Sequence, residues 1–230
     1  MAATTWVLWE ARSFPMSETS PIVFVVDDDI SVRESLETLI RYEGLCVETF
    51  TSAQEFLNRP GVSVPNCLVL DLSLPGLNGL DLQKRVVVER PDMPIIFITG
   101  HGDIPTTVQA MKAGAVEFLT KPISDEALMK AIRGSLERSR VLLGRDEELR
   151  MLKARYARLT SREREVMALV VTGLPNKQVA CELGITEITV KAHRGSMMRK
   201  MEADSLAELV NLAARLRLRR PVTRNVTVNV

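Results

Sequence analysis

Apolar positions change their spacing along the chain, and the change marks out its elements. Short runs rich in β-branched and aliphatic residues lie at 22–26, 46–50, 67–70, 95–99 and 116–119, each too short to be a helix. Pro21-Ile22-Val23-Phe24-Val25-Val26 and Asn66-Cys67-Leu68-Val69-Leu70 are apolar without alternation, the mark of parallel strands buried on both faces. Between the runs, apolar residues recur at helical spacing instead. Val32, Leu36, Leu39 and Ile40 share one face of a helix over 31–42, and Gly44 follows as its stop. Residues 79–89, 106–112 and 125–136 are the next helical stretches. Strand–helix alternation with short connections predicts an α/β doubly wound parallel sheet of five strands.

Beyond residue 124 the strands stop. Residues 124–159 read as one or two long helices, with Leu142, Leu149, Leu152, Tyr156 and Leu159 in a broken heptad and Arg145 at an apolar position. A dimeric coiled coil and a charged helical linker both remain open there. Thr160 and Glu163 form a capping box that opens a helix to 171. Gly173-Leu174-Pro175-Asn176 breaks it, a second helix runs to 183, and Gly184 turns the chain. Thr186 caps a third helix, whose exposed face is expected to carry Lys191, His193, Arg194, Arg199 and Lys200. Helix, Gly-containing turn and capped basic helix make a helix-turn-helix, and a further amphipathic helix spans 205–218. The organisation expected is an extension or mis-assigned start at 1–20, with Met16 an alternative start. An α/β domain follows at 21–140, then a helical linker at 141–158, an all-α helix-turn-helix domain at 159–218 and a tail at 219–230.

Composition sharpens this division. The net charge of +1 hides 13 basic and 19 acidic residues in 1–144 (−6) against 17 basic and 10 acidic in 145–230 (+7). An acidic half suits a cation and a basic half suits a polyanion. Cys46, Cys67 and Cys181 lack metal-ligand spacing, and residues 1–20 lack the basic start of a signal peptide. No apolar run approaches the length of a membrane span, so a reduced, cytoplasmic protein without membrane association is expected.

Chemistry gathers where the strands end. Asp27-Asp28-Asp29 follows the first, Asp71 the third, Thr99 closes the fourth and Lys121-Pro122 follows the fifth. Carboxyl ends of neighbouring parallel strands meet at one sheet edge, the place where such folds bind ligands. Carboxylates, a hydroxyl and an ammonium there suit a hard cation beside a phosphoryl group. Asp71, alone on its strand, can attack phosphorus and form an acyl phosphate. An acidic residue after a strand can equally be a helix N-cap, which applies to Asp28 or Asp29 taken singly. His101, close by in sequence, reads as a structural or solvent-facing loop residue.

These motifs carry a resemblance. Val25-Val26-Asp27-Asp28-Asp29, Asp71-Leu72-Ser73-Leu74-Pro75-Gly76, Thr99-Gly100, Gly114-Ala115 and Phe118-Leu119-Thr120-Lys121-Pro122 resemble the receiver domain of bacterial two-component response regulators. Residues 99–121 are most similar to the FixJ branch. The resemblance implies a flavodoxin-like domain in which Asp71 is the phospho-acceptor and Asp27 and Asp28 hold Mg²⁺ with Asp71. Ser73 would offer the metal a backbone carbonyl, and Thr99 and Lys121 would contact the phosphoryl group. Phe118 stands at the switching aromatic position, often Tyr in the family, so the switch here works without an aromatic hydroxyl.

The basic half resembles a second family. Residues 159–166, 173–180 and 186–194, followed by Met198-Arg199-Lys200-Met201, are similar to the LuxR-type DNA-binding domain. The resemblance implies that the third helix enters the major groove of double-stranded DNA. Thr189, Lys191, Ala192, His193 and Arg194 would face bases or phosphates there, and Asn176, Lys177 and Thr186 would position the backbone. Gly195 stands where some relatives have a basic contact residue. The function implied is a transcriptional regulator that takes phosphate from a sensor histidine kinase and forms a homodimer on phosphorylation, with RNA polymerase a candidate partner. It would not be an enzyme beyond its own phosphorylation and dephosphorylation. The rivals are a Mg²⁺-dependent phosphatase and a constitutive DNA-binding protein with a vestigial receiver. A phosphatase needs a second acid near its nucleophile, and Leu72-Ser73-Leu74-Pro75 supplies none.

Overall fold

The computed structural model describes residues 20–100 and 104–218. The expectations on residues 1–19, on His101 and on the tail from 219 lie outside the described residues. Strands β1 (Ile22–Val26), β2 (Cys46–Phe50), β3 (Asn66–Asp71), β4 (Ile95–Thr99) and β5 (Glu117–Thr120) form one parallel sheet in the order β2-β1-β3-β4-β5. Val26 stands opposite Leu70, Asp71 opposite Ile98, and Thr99 opposite Thr120, so the strand ends align along one edge. Helices α1 (Ile30–Tyr42), α2 (Ala53–Asn58), α3 (Gly79–Glu89), α4 (Ile104–Lys112) and α5 (Asp125–Ala157) connect and cover the sheet.

The pleat sends alternate residues to two cores. Phe24, Leu68, Leu70 and Phe97 pack with Phe56 of α2, Leu82 of α3 and Ala110 of α4. Val23, Val25, Val69 and Ile98 pack with Ile40 of α1 and Leu128 and Ile132 of α5. Both faces of the central strands are therefore covered, which is why their sequences do not alternate. Each fully buried side chain of this size is worth about 1.5–3 kcal/mol.

Some boundaries differ from the pattern-based ones. α2 is too short to show a period, and it is held by its Ser52 cap and by Phe56, which packs edge-on against Phe24 and Phe50. β5 sits one residue later than its apolar run, and α4 starts two residues earlier. The stretch after 124 is one continuous helix of 33 residues.

The chain divides into two compact units, Met1–Leu143 and Gly144–Val230. In the second, α6 (Ser161–Val170), α7 (Asn176–Leu183), α8 (Glu187–Met201) and α9 (Leu206–Arg215) enclose Val166, Met167, Val179, Val190, Met197, Met201 and Leu209. Leu152, Tyr156 and Leu159 join this core, so that part of the broken heptad packs on its own unit. The turn into α8 needs Gly184, whose φ of +63° is strained for other residues.

Candidate functional site

The acidic residues converge at the carboxyl edge of the sheet. Oxygen atoms of Asp27, Asp28 and Asp71 all lie within 4.8 Å of one another. Asp27 is fully buried at the end of β1, Asp71 is 5% exposed, and Asp28 faces solvent. Lys121 reaches back from the end of β5, its Nζ donating to Asp27 Oδ2 at 2.7 Å and to Asp71 Oδ2 at 3.2 Å. Its own backbone N–H donates to Thr99 O at 2.7 Å, which ties it to the end of β4. The peptide bond between Lys121 and Pro122 is cis.

Burial pushes the Asp27 carboxyl up from its ordinary range, against hydrogen bonds from Lys121 and from the Asp29 N–H; the charge of Asp71 adds to the rise. For Lys121 burial works against the charge. The hydrogen bond to Asp27 and the charges of Asp71 and Asp27 outweigh it, so the ammonium is held above its usual value. A cluster of hard oxygen donors with one buried, incompletely compensated carboxylate fits Mg²⁺, which takes one or two carboxylates and completes its shell with water and phosphate oxygens.

Neighbouring backbone positions the Asp71 carboxylate. Ser73 N–H donates to Asp71 Oδ1 at 3.2 Å, and the Ser73 side chain is exposed. Gly79 opens α3 hard against the same strand end. A Cβ there would lie 2.6 Å from Asp71 O and 3.0 Å from both Leu72 Cα and Phe97 Cε1. Phe118, half-buried on β5, faces Phe97 with ring centroids 6.2 Å apart. Thr99 is fully buried. Asp29 stands apart from the cluster: its carboxylate caps α1, accepting from Ser31 N at 2.8 Å and Val32 N at 3.4 Å.

In the second unit, α7 and α8 are the helices of the helix-turn-helix. Thr186 Oγ1 accepts from Thr189 N at 3.2 Å and shares a 2.8 Å hydrogen bond with Thr189 Oγ1, so both hydroxyls build the cap. Lys177, Lys191, Ala192 and Arg199 are exposed, and Lys191 pairs with Glu187 at 3.3 Å. The expected basic face needs correction at its other members. His193 and Arg194 are half-buried, and Arg194 donates to Asn176 Oδ1 at 3.0 Å. Lys200 turns inward instead of outward. Its Nζ donates to both oxygens of Glu163, at 2.9 and 2.7 Å.

Glu163 is the feature that sequence reasoning undervalued. The capping box forms, with Thr160 N–H donating to Glu163 Oε2 at 2.8 Å. The carboxylate, 3% exposed, also accepts from Ser196 Oγ at 2.6 Å. Burial opposes its charge, yet the hydrogen bonds from Lys200, Ser196 and Thr160 and the Lys200 charge hold its carboxyl down at about 2. The signal was present in the spacing of the third helix. Lys200 lies nine residues from Lys191, half a turn round the axis, so the two cannot share a face.

Known proteins match both units. Residues 23–133 fit the response regulator receiver domain, and residues 157–213 fit the family described as bacterial regulatory proteins, luxR family. Nodulation protein W of Bradyrhizobium diazoefficiens is 52% identical over 200 residues, which cover 87% of this chain and 88% of that protein. The response regulator protein TodT of Pseudomonas putida is 44% identical over 88% of this chain and 89% of its own. A low-resolution structure of the response regulator StyR aligns with a TM-score of 0.76 at 47% identity, covering 86% of this chain and all of that one. No helix among the described residues is long and apolar enough to cross a membrane. With a receiver domain, a LuxR-type DNA-binding domain and relatives of this identity over nearly their whole length, the chain belongs to the DNA-binding transcriptional response regulators of two-component systems.

Proposed function

We propose that this regulator is switched by phosphorylation of Asp71 by a sensor histidine kinase with Mg²⁺ bound, and that the phosphorylated form dimerises and binds its operator. The observation that carries the reading is the Lys121 ammonium, 2.7 Å from Asp27 and 3.2 Å from Asp71, brought together from three strands. A cation between two carboxylates, one on the attacking group, stands ready for phosphoryl oxygens.

Asp27, Asp28 and Asp71, with the Ser73 backbone carbonyl, would hold the metal. Bound Mg²⁺ would neutralise charge on the transferring phosphoryl group. Asp71 Oδ attacks the phosphorus of the kinase phosphohistidine; the P–N bond breaks and its electron pair returns to the imidazole. Lys121 moves with the new oxygens and loosens its hold on Asp27. The added charge of about −1.5 to −2 draws on Thr99 and repacks Phe118 against Phe97, biasing a two-state surface. On that side of the sheet α4 exposes Ile104, Val108 and Met111 at i, i+4 and i+7, an apolar stripe suited to a second copy of the chain. Two copies then present α8 to half-sites about one DNA turn apart.

Acetyl phosphate and Mg²⁺ test the first step. One acid-stable, base-labile phosphate per chain is expected by intact-mass measurement. Its persistence in Asp71→Asn would sink the assignment.

A further inference from the structure

Ile188 is the second residue of α8, and 80% of it is exposed. A large aliphatic side chain packed on nothing adds little to folding; its free energy is realised only when a partner covers it. Its helix face defines the partner. At 100° per residue, Ile188 shares a face with Lys191, Ala192, Gly195 and Arg199, opposite the buried Val190, Met197 and Met201. The face is cationic at two of these positions, and the positive end of the helix dipole lies beside Ile188. Its middle is shallow. A Cβ on Gly195 would meet nothing nearer than Arg199 Nη1 at 3.9 Å, and Ala192 adds only a methyl. A basic face whose middle positions carry no more than a methyl, with only the exposed Arg199 guanidinium reaching towards Gly195, can lie close to the floor of a DNA major groove, with Ile188 projecting from its leading turn.

An isoleucine has no donor or acceptor, so it cannot read the hydrogen-bonding pattern of a base edge. The apolar feature of the major groove is the thymine C5-methyl. We propose that Ile188 is a specificity-determining residue that packs on a thymine methyl, so that each half-site contains one thymine recognised by apolar contact. This rests on the reading of α8 as the helix that enters the groove.

Duplexes enriched by the full-length chain from a randomised library, with and without acetyl phosphate and Mg²⁺, serve as the probe. Deoxyuridine placed at each thymine in turn removes only the methyl. At one position per half-site the parent protein is expected to lose about fourfold in affinity, the worth of one buried methyl group. Ile188→Ala should bind the thymine duplex more weakly than the parent and be indifferent to deoxyuridine at that position, while Ile188→Val keeps most of the preference. Because the side chain is so exposed, the variants should melt with the parent. The proposal is overturned if Ile188→Ala matches the parent on the thymine duplex. It is equally overturned if the variant weakens by the same factor on both forms, which places the side chain against backbone or protein. Failure to enrich any duplex removes the DNA-binding reading and this inference with it, and it shows before any variant is made.

Discussion

Removing the Glu163 carboxylate should melt the helix-turn-helix unit well below the parent. Glu163→Ala deletes the acceptor for Thr160 N, Ser196 Oγ and Lys200 Nζ at once. Losing half a capping box costs about 0.5–1 kcal/mol. Breaking a fully buried ion pair costs about 3–5 kcal/mol, but the Lys200 side chain is 30% exposed and its ammonium can turn to water, which reduces that part to about 2 kcal/mol. The sum is about 3 kcal/mol, or roughly 15 °C in melting temperature for a unit of this size. The lowered pKa gives a second route to the magnitude. A carboxyl moved from 4.5 to about 2 corresponds to about 3 kcal/mol at most, and to about 2 kcal/mol after allowing for water around Lys200. Because the folded value is the lower one, this stabilisation is complete above pH 4.5 and is lost progressively as the pH falls towards 2. The gap between parent and variant should therefore close over that range. Residues 144–230 contain no Trp, so the unit has no indole of its own to report its unfolding. Calorimetry of the full chain, with hydrogen exchange of peptides from α6 and α8, resolves its unfolding from that of the receiver. A variant melting within about 3 °C of the parent, or a gap that does not narrow in acid, would refute the argument.

Gly79→Ala should destabilise the receiver by about 1–3 kcal/mol in urea titrations and slow phosphate uptake, since its Cβ would sit 2.6 Å from the backbone oxygen of Asp71 and backbone cannot yield cheaply. Parent-like stability and uptake would show that the strand end gives way. Lys121→Ala should fold and still take up phosphate, but fail to shift to dimer in sedimentation velocity, because the cation proposed to follow the phosphoryl oxygens is gone. A normal shift would limit Lys121 to holding Asp27 and Asp71 in place.

The elements were legible wherever one physical pattern decided them. The short, β-branched, unbroken apolar runs of β1 and β3 read as doubly covered strands, and the Thr160–Glu163 pair places the start of α6 to the residue. Strand-end position alone also brings Asp27, Asp71, Thr99 and Lys121 to one edge, since parallel strands share a direction. Other features depend on which partner lies across a gap. Asp28 and Asp29 are identical in type and adjacent, yet the second caps α1 while the first joins the carboxylate cluster, a choice made by backbone direction at the strand end. α2 exists because Phe56 fits between Phe24 and Phe50, not because six residues favour a helix. The close approach of Gly79 to Asp71 is set by packing of α3 on the sheet. On α8, composition announces a basic helix, but packing of Val190, Met197 and Met201 into the core decides which cations face out. Lys191 is left to solvent, Lys200 is committed to Glu163, and Ile188 is exposed where an apolar residue gains nothing from folding. Local sequence determines what each segment can be; the burial of one face against another decides which of its side chains remain available for function.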